Sequence, residues 1–376
     1  MFTQNRIDRI RNYMEEESID TVIVSNPENQ YYLTGFRALM YSRPIITIIN
    51  RNDISIIVPG IEETHAMKEA NVDSIHVYYE HPESIGEDQK AATDILQKLL
   101  NNLAVKRVGI EDGFLSYGVG KQLASKYNIV GVTNFILKMR LIKDKNEFLM
   151  LQKAGELVSG AVQATLSSLA VGKTELEVED IGNRYVLEEA SRSYPDSTID
   201  FFTMTPSGPE RSTMPHLLSS TRRFTEQDIG IHTRQIGLHG YRAECERTFF
   251  IGNPTDEQSE IFNIMVEAQK SAVKKCISGN LLKEIDQAAR SIIQKAGYGN
   301  YSIHRTGHGI GLEAHEAPSI RFDCYDRLET GMVITIEPGI YVPGIGGFRH
   351  SDTFIITEQG PKQITEANCL INQLTF

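Results

Sequence analysis

Short apolar runs alternate with helical segments through the first third of the chain, and this alternation constrains the fold more than any other feature. The runs are TVIVS at 21–25, IITIIN at 45–50, ISIIVP at 54–59, RVGIE at 107–111 and NIVGV at 128–132. Each has the length and the β-branched composition of a buried strand, and segments such as QKAATDILQKLLNNL repeat apolar residues at helical spacing. The alternation predicts a compact α/β domain.

The pattern changes after the charged segment KMRLIKDKNEF at 138–148. Long helical segments follow, among them TELEVEDIGNRYVLEEAS and EIFNIMVEAQKSAVKKC, and glycine-rich pairs of strands separate them. This pattern is typical of antiparallel strands covered by helices on one face, which is an α+β arrangement. We place the boundary near Asp144, so the sequence predicts a first domain at 1–144 and a second at 145–376.

The composition excludes several classes of protein. A net charge of −11 without a basic patch predicts neither a nucleic-acid partner nor a membrane partner. The four cysteines are scattered and form no C-x-x-C pair, so they do not indicate a thiolate zinc site. The polar start of the chain and the lack of an apolar run of membrane-spanning length predict a cytoplasmic protein.

Two carboxylates stand two positions apart in the segment GYRAECERTFF at 240–250. Residues two apart in a strand point to the same face, so Glu244 and Glu246 share a face with Arg242. Two acids on one face can hold a metal ion, bind a cationic substrate or pair with a neighbouring arginine such as Arg247 or Arg349. Further polar residues interrupt the glycine-rich segments of the second half, namely His216, His308, His315 and Glu337.

These segments, in this order, carry a resemblance to a known family. PH, GYRAECERTFFIG, GHGIGLEAHEAP and GMVITIEPGIYVPGIGGFRHSDTFIIT together resemble the creatinase/prolidase family, peptidase family M24. Its members include Xaa-Pro dipeptidases, aminopeptidase P, methionine aminopeptidase and creatinase. The resemblance implies a C-terminal pita-bread domain preceded by a smaller α/β creatinase-type domain, and a homodimer.

The metal ligands of the family are only partly matched. Its metallopeptidases hold two divalent ions with five ligands, and the resemblance implies that His308 and Glu337 occupy two of these positions and Glu244 a third. Thr233 and Ser351 stand at the other two, where hydroxyls replace carboxylates and are poor ligands for such ions. We therefore expect no metal cofactor. The alternative is one divalent ion such as Mn, Co or Zn on Glu244, His308 and Glu337.

The resemblance to creatinase, which works without metals, implies roles for the remaining residues. His216 falls at the position of a catalytic histidine that exchanges protons with the substrate, and it is expected to act together with His308, Glu246 and Glu337. The expected substrate-binding residues are Tyr41, Arg43, Glu244, His315, Arg321 and Arg349.

Three functions follow from these residues. We expect a metal-independent hydrolase that cleaves a C–N bond (amide, amidine or guanidine) of a small carboxylate-bearing molecule. The alternative is a metallopeptidase that resembles Xaa-Pro dipeptidase or aminopeptidase P and takes a dipeptide. The third is a non-catalytic binding protein of the same fold.

Overall fold

The computed structural model describes residues 4–81 and 91–376, which form two compact units that divide between Met139 and Arg140. Helix α6 (Thr133–Leu141) runs through this point of division. None of the helices in the described ranges is long and apolar enough to cross a membrane.

The N-terminal unit is a six-stranded mixed sheet with helices. Its strands are β1 (Thr21–Val24), β2 (Ile46–Asn50), β3 (Ile54–Pro59), β4 (Ser74–Tyr78), β5 (Arg107–Ile110) and β6 (Asn128–Gly131), in the order β4-β3-β2-β1-β5-β6. Strands β1, β2 and β3 pair antiparallel, and the remaining pairs are parallel. The helices that precede α6 are α1 (Gln4–Glu16), α2 (Pro27–Thr34), α3 (Glu63–Glu69), α4 (Ala92–Asn102) and α5 (Tyr117–Ala124).

The five apolar runs of the sequence all form strands of this sheet, as expected. The sixth strand, β4, was missed because SIHVY is half polar and only its last residue is buried. Ile46 and Ile48 of β2 and Ile57 of β3 pack in one core with Leu96 and Leu100 of α4, which stabilises the sheet by removing apolar surface from water.

The C-terminal unit begins with two long helices that the sequence caps. Helix α7 (Lys145–Leu166) starts after Asp144 and α8 (Glu175–Ser193) after Thr174, each in a reciprocal capping box with a glutamate three positions later. The later helices are α9 (Asp256–Val273) and α10 (Leu282–Lys295). The strands are β7 (Ile199–Met204), β8 (Ile229–Leu238), β9 (Tyr241–Phe250), β10 (Gly307–Gly309), β11 (Glu316–Ile320), β12 (Val333–Ile336), β13 (Gly339–Val342), β14 (Gly346–Arg349), β15 (Asp352–Thr357) and β16 (Gly360–Gln363).

These strands form three antiparallel sheets in the described chain, in the orders β7-β8-β9, β11-β10-β12-β15-β16 and β13-β14. Strands β8 and β9 form a long hairpin, and its two turn residues His239 (φ 48) and Gly240 (φ 82) adopt the positive φ values that tight hairpins need. The antiparallel sheets with covering helices confirm the α+β expectation for this half.

Both faces of the β8–β9 hairpin are covered, which explains how its polar residues come to be buried. Helix α7 packs against both strands, and β14 and β15 also contact the hairpin. A two-way backbone bridge joins Glu246 to Ser351, with N–O distances of 3.0 and 3.2 Å. This bridge brings the segment GFRHSD against the carboxylates of β9.

Candidate active site

Three carboxylates and an imidazole meet inside the C-terminal unit. Glu244 and Glu246 project from β9, Glu337 directly follows β12, and His308 is the central residue of β10. One oxygen from each of the three carboxylates lies within 4.8 Å of the others, and all four side chains are almost completely buried. These are the acids and the histidine that the sequence indicated, and the antiparallel strands bring them together.

His308 reaches this position because its neighbours are glycines. A Cβ atom at Gly307 would lie 2.0 Å from the carbonyl oxygen of Thr335, and one at Gly309 would lie 2.0 Å from that of Ala317. No other residue leaves room for such close backbone approach, so the GHG sequence allows β10 to fit between β11 and β12.

The imidazole of His308 has one nitrogen fixed by the backbone and the other aimed at the acids. Nδ1 donates to the carbonyl oxygen of Gly309 at 2.9 Å, which leaves Nε2 3.2 Å from Glu337 Oε1 and 4.0 Å from Glu244 Oε2. Within the described residues Nε2 makes no hydrogen bond of good geometry. Burial lowers the pKa of His308, but the neighbouring Glu337 and Glu244 carboxylates outweigh it and raise that pKa to about 9.

Glu244 is a buried acid with neutral partners. Its carboxylate accepts hydrogen bonds from the Ser351 hydroxyl (2.7 Å) and from the Gln235 amide. Burial, and next the charge of Glu337, raise the pKa of Glu244. Arg242, on the same strand face, forms its ion pair with Asp200 instead. The negative charge shared by Glu244 and Glu337 therefore favours an added cation.

Glu246, in contrast, already has a cationic partner. The guanidinium of Arg349 contacts it twice, with Nη2–Oε1 at 2.7 Å and Nε–Oε2 at 2.5 Å. The same Nη2 donates to Thr233 Oγ1 at 3.1 Å, and Nη1 donates to the Tyr341 hydroxyl at 3.3 Å. Arg349 thus satisfies a carboxylate and two hydroxyls without any bound molecule.

Two more histidines border this cluster. The ring of His315 lies with its centroid 4.1 Å from that of His308, and its nitrogen is within 4.8 Å of donor atoms of Glu244 and His308. Burial, followed by the charges of His308 and Arg305, lowers the pKa of His315 to about 4. The charge of the exposed His216 contributes to the same shift.

One buried carboxylate, that of Glu175, holds the segment that carries His216. Glu175, the first residue of α8, is fully buried and accepts hydrogen bonds from the backbone and hydroxyl groups of Ser207 and Ser220 at 2.7–3.0 Å. It also pairs with Arg211 at 2.8 Å. Since these donors lie on either side of His216 in the chain, Glu175 holds both ends of the segment.

Three further residues were expected to bind the substrate, namely Tyr41, Arg43 and Arg321. Tyr41 and Arg43 belong to the N-terminal unit, where Tyr41 is exposed and Arg43 Nε pairs with Glu80 at 2.6 Å. Arg321 is exposed and pairs with Asp323. Their roles stay predictions.

Sequence reasoning missed Arg305, Gln235 and Tyr341. Arg305 stands three residues before His308, so its place in HRTGHG was a usable signal. Its guanidinium makes a 3.4 Å contact with Ser319 Oγ and influences the pKa of His315.

The residues fit one divalent ion well. Nε2 of His308 lies 3.2 Å from Glu337 Oε1 and 4.0 Å from Glu244 Oε2, and oxygens of these two acids lie within 4.8 Å of each other. Carboxylate oxygen and imidazole nitrogen suit Mn, Co or Zn. A second ion fits poorly, because the side of the cluster next to Thr233 and Glu246 is occupied by the guanidinium of Arg349.

Comparisons with known proteins cover nearly the whole chain. Residues 150–358 match metallopeptidase family M24, and residues 6–142 match the creatinase/prolidase N-terminal domain. The chain is 34% identical over 368 residues to a Xaa-Pro dipeptidase of Pyrococcus furiosus, which covers 96% of this chain and 98% of that protein. It is 36% identical over 366 residues to the Xaa-Pro dipeptidase of Pyrococcus horikoshii, with 96% and 97% covered.

Solved structures agree with this result. The prolidase from Pyrococcus horikoshii superimposes with a TM-score of 0.85 at 32% identity and covers 97% of this chain and all of that one. The X-Pro aminopeptidase from Thermotoga maritima gives the same TM-score at 28% identity, with 98% and 99% covered. The expected fold, a creatinase-type N-terminal domain followed by a pita-bread domain, is confirmed.

The expectation of a site without a metal cofactor is wrong. The matching family is one of metallopeptidases, and the two Pyrococcus dipeptidases are similar to this chain over almost their full length. The C-terminal unit also contains a cluster of carboxylates and histidines that fits an ion. The error came from counting ligands for two ions. The hydroxyls of Thr233 and Ser351 count against a two-ion set, whereas one ion needs only the three donors that converge here.

Proposed function

The chain belongs to metallopeptidase family M24, and on that premise we propose that it is a Xaa-Pro dipeptidase that uses one divalent ion held by Glu244, His308 and Glu337. One observation carries the proposal. Nε2 of His308 faces two carboxylates at 3.2 and 4.0 Å, with Nδ1 already donating to a carbonyl. With the proton of Nε2 displaced, this nitrogen and the carboxylate oxygens of Glu244 and Glu337 would all be acceptor atoms, which a divalent ion satisfies.

The bound ion would supply Lewis acidity to the peptide carbonyl and to the attacking water. The side chains of this protein supply the proton chemistry and the orientation. His315 has a pKa lowered to about 4, so at neutral pH it is uncharged and can donate one N–H to the substrate carbonyl oxygen. We assign to the exposed His216 the transfer of a proton to the leaving proline nitrogen.

Arg305 is our candidate for the carboxylate of a dipeptide. A short substrate carries its carboxylate close to the scissile bond, so a cation is needed near His315. The guanidinium of Arg305 is half-buried there and has a long 3.4 Å contact with Ser319, whereas Arg321 is paired with Asp323. An arginine with weak protein contacts is the better one to receive a substrate anion.

Activity on defined substrates tests this function. Chelator-stripped protein is reloaded with Mn, Co or Zn and assayed with Xaa-Pro dipeptides, a matched dipeptide without proline, N-acyl amino acids and guanidino acids. We expect hydrolysis of the Xaa-Pro dipeptides alone, at least 100-fold faster with the ion than without it. Turnover of a guanidino or N-acyl acid in chelator, or no turnover of any substrate, would contradict the proposal.

A further inference from the structure

We propose that the guanidinium of Arg349 is a built-in cation that occupies the place of a second ion, so that the carboxylate cluster takes up one exchangeable divalent ion per chain. Two groups of possible ligands overlap at this site, one made of Glu244, His308 and His315 and one made of Glu244, Glu246 and Glu337. The ion of the proposed function, on which this inference rests, takes Glu244 and His308 from the first group and Glu337 from the second. The second group is the one that Arg349 enters.

The position of Arg349 is fixed by its own backbone and by three side chains. Its N–H donates to Thr248 Oγ1 at 2.8 Å, and the Thr248 hydroxyl donates back to the Arg349 carbonyl at 3.2 Å. The guanidinium then makes two contacts with Glu246 and single contacts with Thr233 and Tyr341, all in a fully buried setting. A planar group held on several sides leaves no room for an ion beside Glu246.

The hydroxyls next to Arg349 suit a guanidinium better than a metal. Thr233 Oγ1 and the Tyr341 hydroxyl each accept one of its N–H groups. A neutral hydroxyl is an ordinary acceptor for an arginine but a weak ligand for a divalent ion. The hydroxyls of Thr233 and Tyr341 are therefore suited to hold the guanidinium of Arg349 rather than a second ion.

Charge balance leads to the same number of ions. The three carboxylates carry three negative charges when ionised, and Arg349 with one divalent ion supplies three positive charges. A second divalent ion would leave two uncompensated positive charges in a buried site, which is strongly unfavourable. His308 is neutral as a ligand and does not change this balance.

Metal stoichiometry tests the inference without any assay of activity. Chelator-stripped wild-type protein is titrated with Mn²⁺ by calorimetry, and bound Mn²⁺ is examined by electron paramagnetic resonance. We expect one ion per chain with the spectrum of an isolated Mn²⁺. Two ions per chain with coupled spins would overturn the inference and leave the proposed function standing. No ion at all would overturn both, whereas one ion without Xaa-Pro hydrolysis would overturn only the proposed function.

Two variants show whether the guanidinium of Arg349 or the lack of a carboxylate at Thr233 limits the site to one ion. Thr233→Asp adds a carboxylate beside Arg349, and we expect it still to bind one ion because the new acid pairs with the arginine. Thr233→Asp combined with Arg349→Met removes the guanidinium and leaves four carboxylates, whose four negative charges two divalent ions compensate. We therefore expect this double variant to bind two ions per chain. Arg321→Met, which removes an exposed arginine paired with Asp323, is the matched control and stays at one.

Folding of the variants is checked by circular dichroism. If the double variant does not fold, anomalous scattering from a crystal of the Mn²⁺-loaded wild-type protein decides the question. One peak beside Glu244, His308 and Glu337, with guanidinium density on Glu246, supports the inference. A second peak beside Glu246, in the crystal or in a folded Thr233→Asp single variant, overturns it, as does a folded double variant that binds only one ion.

Discussion

Single residues at this site divide into those that are satisfied within the protein and those that are not. Arg349 satisfies Glu246, and both are fully buried. Glu244 accepts hydrogen bonds from a hydroxyl and an amide, and Nε2 of His308 faces both Glu337 and Glu244. Folding has therefore buried Glu244 beside the charge of Glu337, which raises the pKa of Glu244, and a bound cation would offset the cost of ionising it.

Arg305 provides a prediction at the residue scale. Arg305→Met should lower kcat/KM for Xaa-Pro dipeptides about 10- to 100-fold, mostly through a higher KM, because a charge-assisted contact to the substrate carboxylate is lost. Steady-state kinetics with a dipeptide and its C-terminal amide measure this effect. The wild type should prefer the free acid, and the variant should lose that preference.

The matched control for this prediction is Arg321→Met. Its guanidinium is exposed and paired with Asp323, so its loss should leave both kinetic constants within about twofold. If Arg321→Met abolishes the preference for the free acid and Arg305→Met does not, the carboxylate site lies at Arg321, one of the substrate-binding residues that the sequence indicated.

At the scale of elements, the first turn of α8 and the connection from α6 to α7 show how helix ends support the site. Glu175 starts α8 and holds the segment with His216, while Arg140 and Lys143, just before α7, pair with Glu316 of β11. Each contact fixes an irregular segment or a short strand to a regular element.

Glu175→Gln should disorder the segment that carries His216. In the wild type, N–H and O–H donors point at both oxygens of the Glu175 carboxylate. In the variant an amide N–H group would face some of these donors, and the lost hydrogen bonds should lower the free energy of unfolding by about 2–4 kcal/mol. We expect kcat/KM to fall about 10- to 100-fold, and amide hydrogen exchange across 205–220 to accelerate. Glu177→Gln, in the same helix turn but more than half exposed, keeps its capping oxygen and should change neither measurement appreciably.

Glu316 gives a prediction about pH. Burial raises the pKa of its carboxyl, but the charges of Lys143 and Arg140 outweigh burial and lower that pKa to about 2. Since the folded pKa lies below the unfolded value, this ionisation stabilises the fold above about pH 4.5 and the contribution disappears as pH falls towards 2. Glu316→Gln should therefore cost about 3 kcal/mol at pH 7 and progressively less below pH 4.5.

Urea unfolding in the presence of a chelator measures this difference without interference from bound ions. The matched control is Glu313→Gln. Glu313 lies 3.6 Å from the same arginine but is 29% exposed, so its loss should cost less than about 1 kcal/mol. A cost for Glu316→Gln that stays constant down to pH 2 would contradict the assignment.

For the whole molecule, the sequence predicted elements better than it predicted partners. Apolar runs were sufficient for β1, β2 and β3, because burial on both faces gives such strands a distinctive composition. The period of two also placed Glu244 and Glu246 on one face. This spacing did not reveal that Arg349, 103 residues later, forms an ion pair with Glu246. That pairing depends on the backbone bridge between β9 and the segment at Ser351.

The cofactor shows the same limit. Each departure at Thr233 and Ser351 was visible in the sequence, but the convergence of Glu244, His308 and Glu337 was not. Whether three donors meet depends on how β9, β10 and β12 pack, and the glycines on both sides of His308 are only an indirect sign of that packing. Counting residue types therefore predicted too few ions.

Hydrogen exchange with and without Mn²⁺ gives a prediction for the whole chain. All three proposed ligands lie in the C-terminal unit, so the ion should slow exchange in peptides that cover β9, β10 and 333–337 and leave the described residues of 4–139 unchanged. At an ion concentration about 100 times the dissociation constant, the free energy of an opening that releases the ion should rise by about 2.7 kcal/mol. Exchange through such openings should therefore be about 100-fold slower. Glu244→Gln, a ligand variant, should show no such change. Slower exchange in the N-terminal unit as well would mean that the ion acts on both units, and the assignment of its ligands to the C-terminal unit alone would fail.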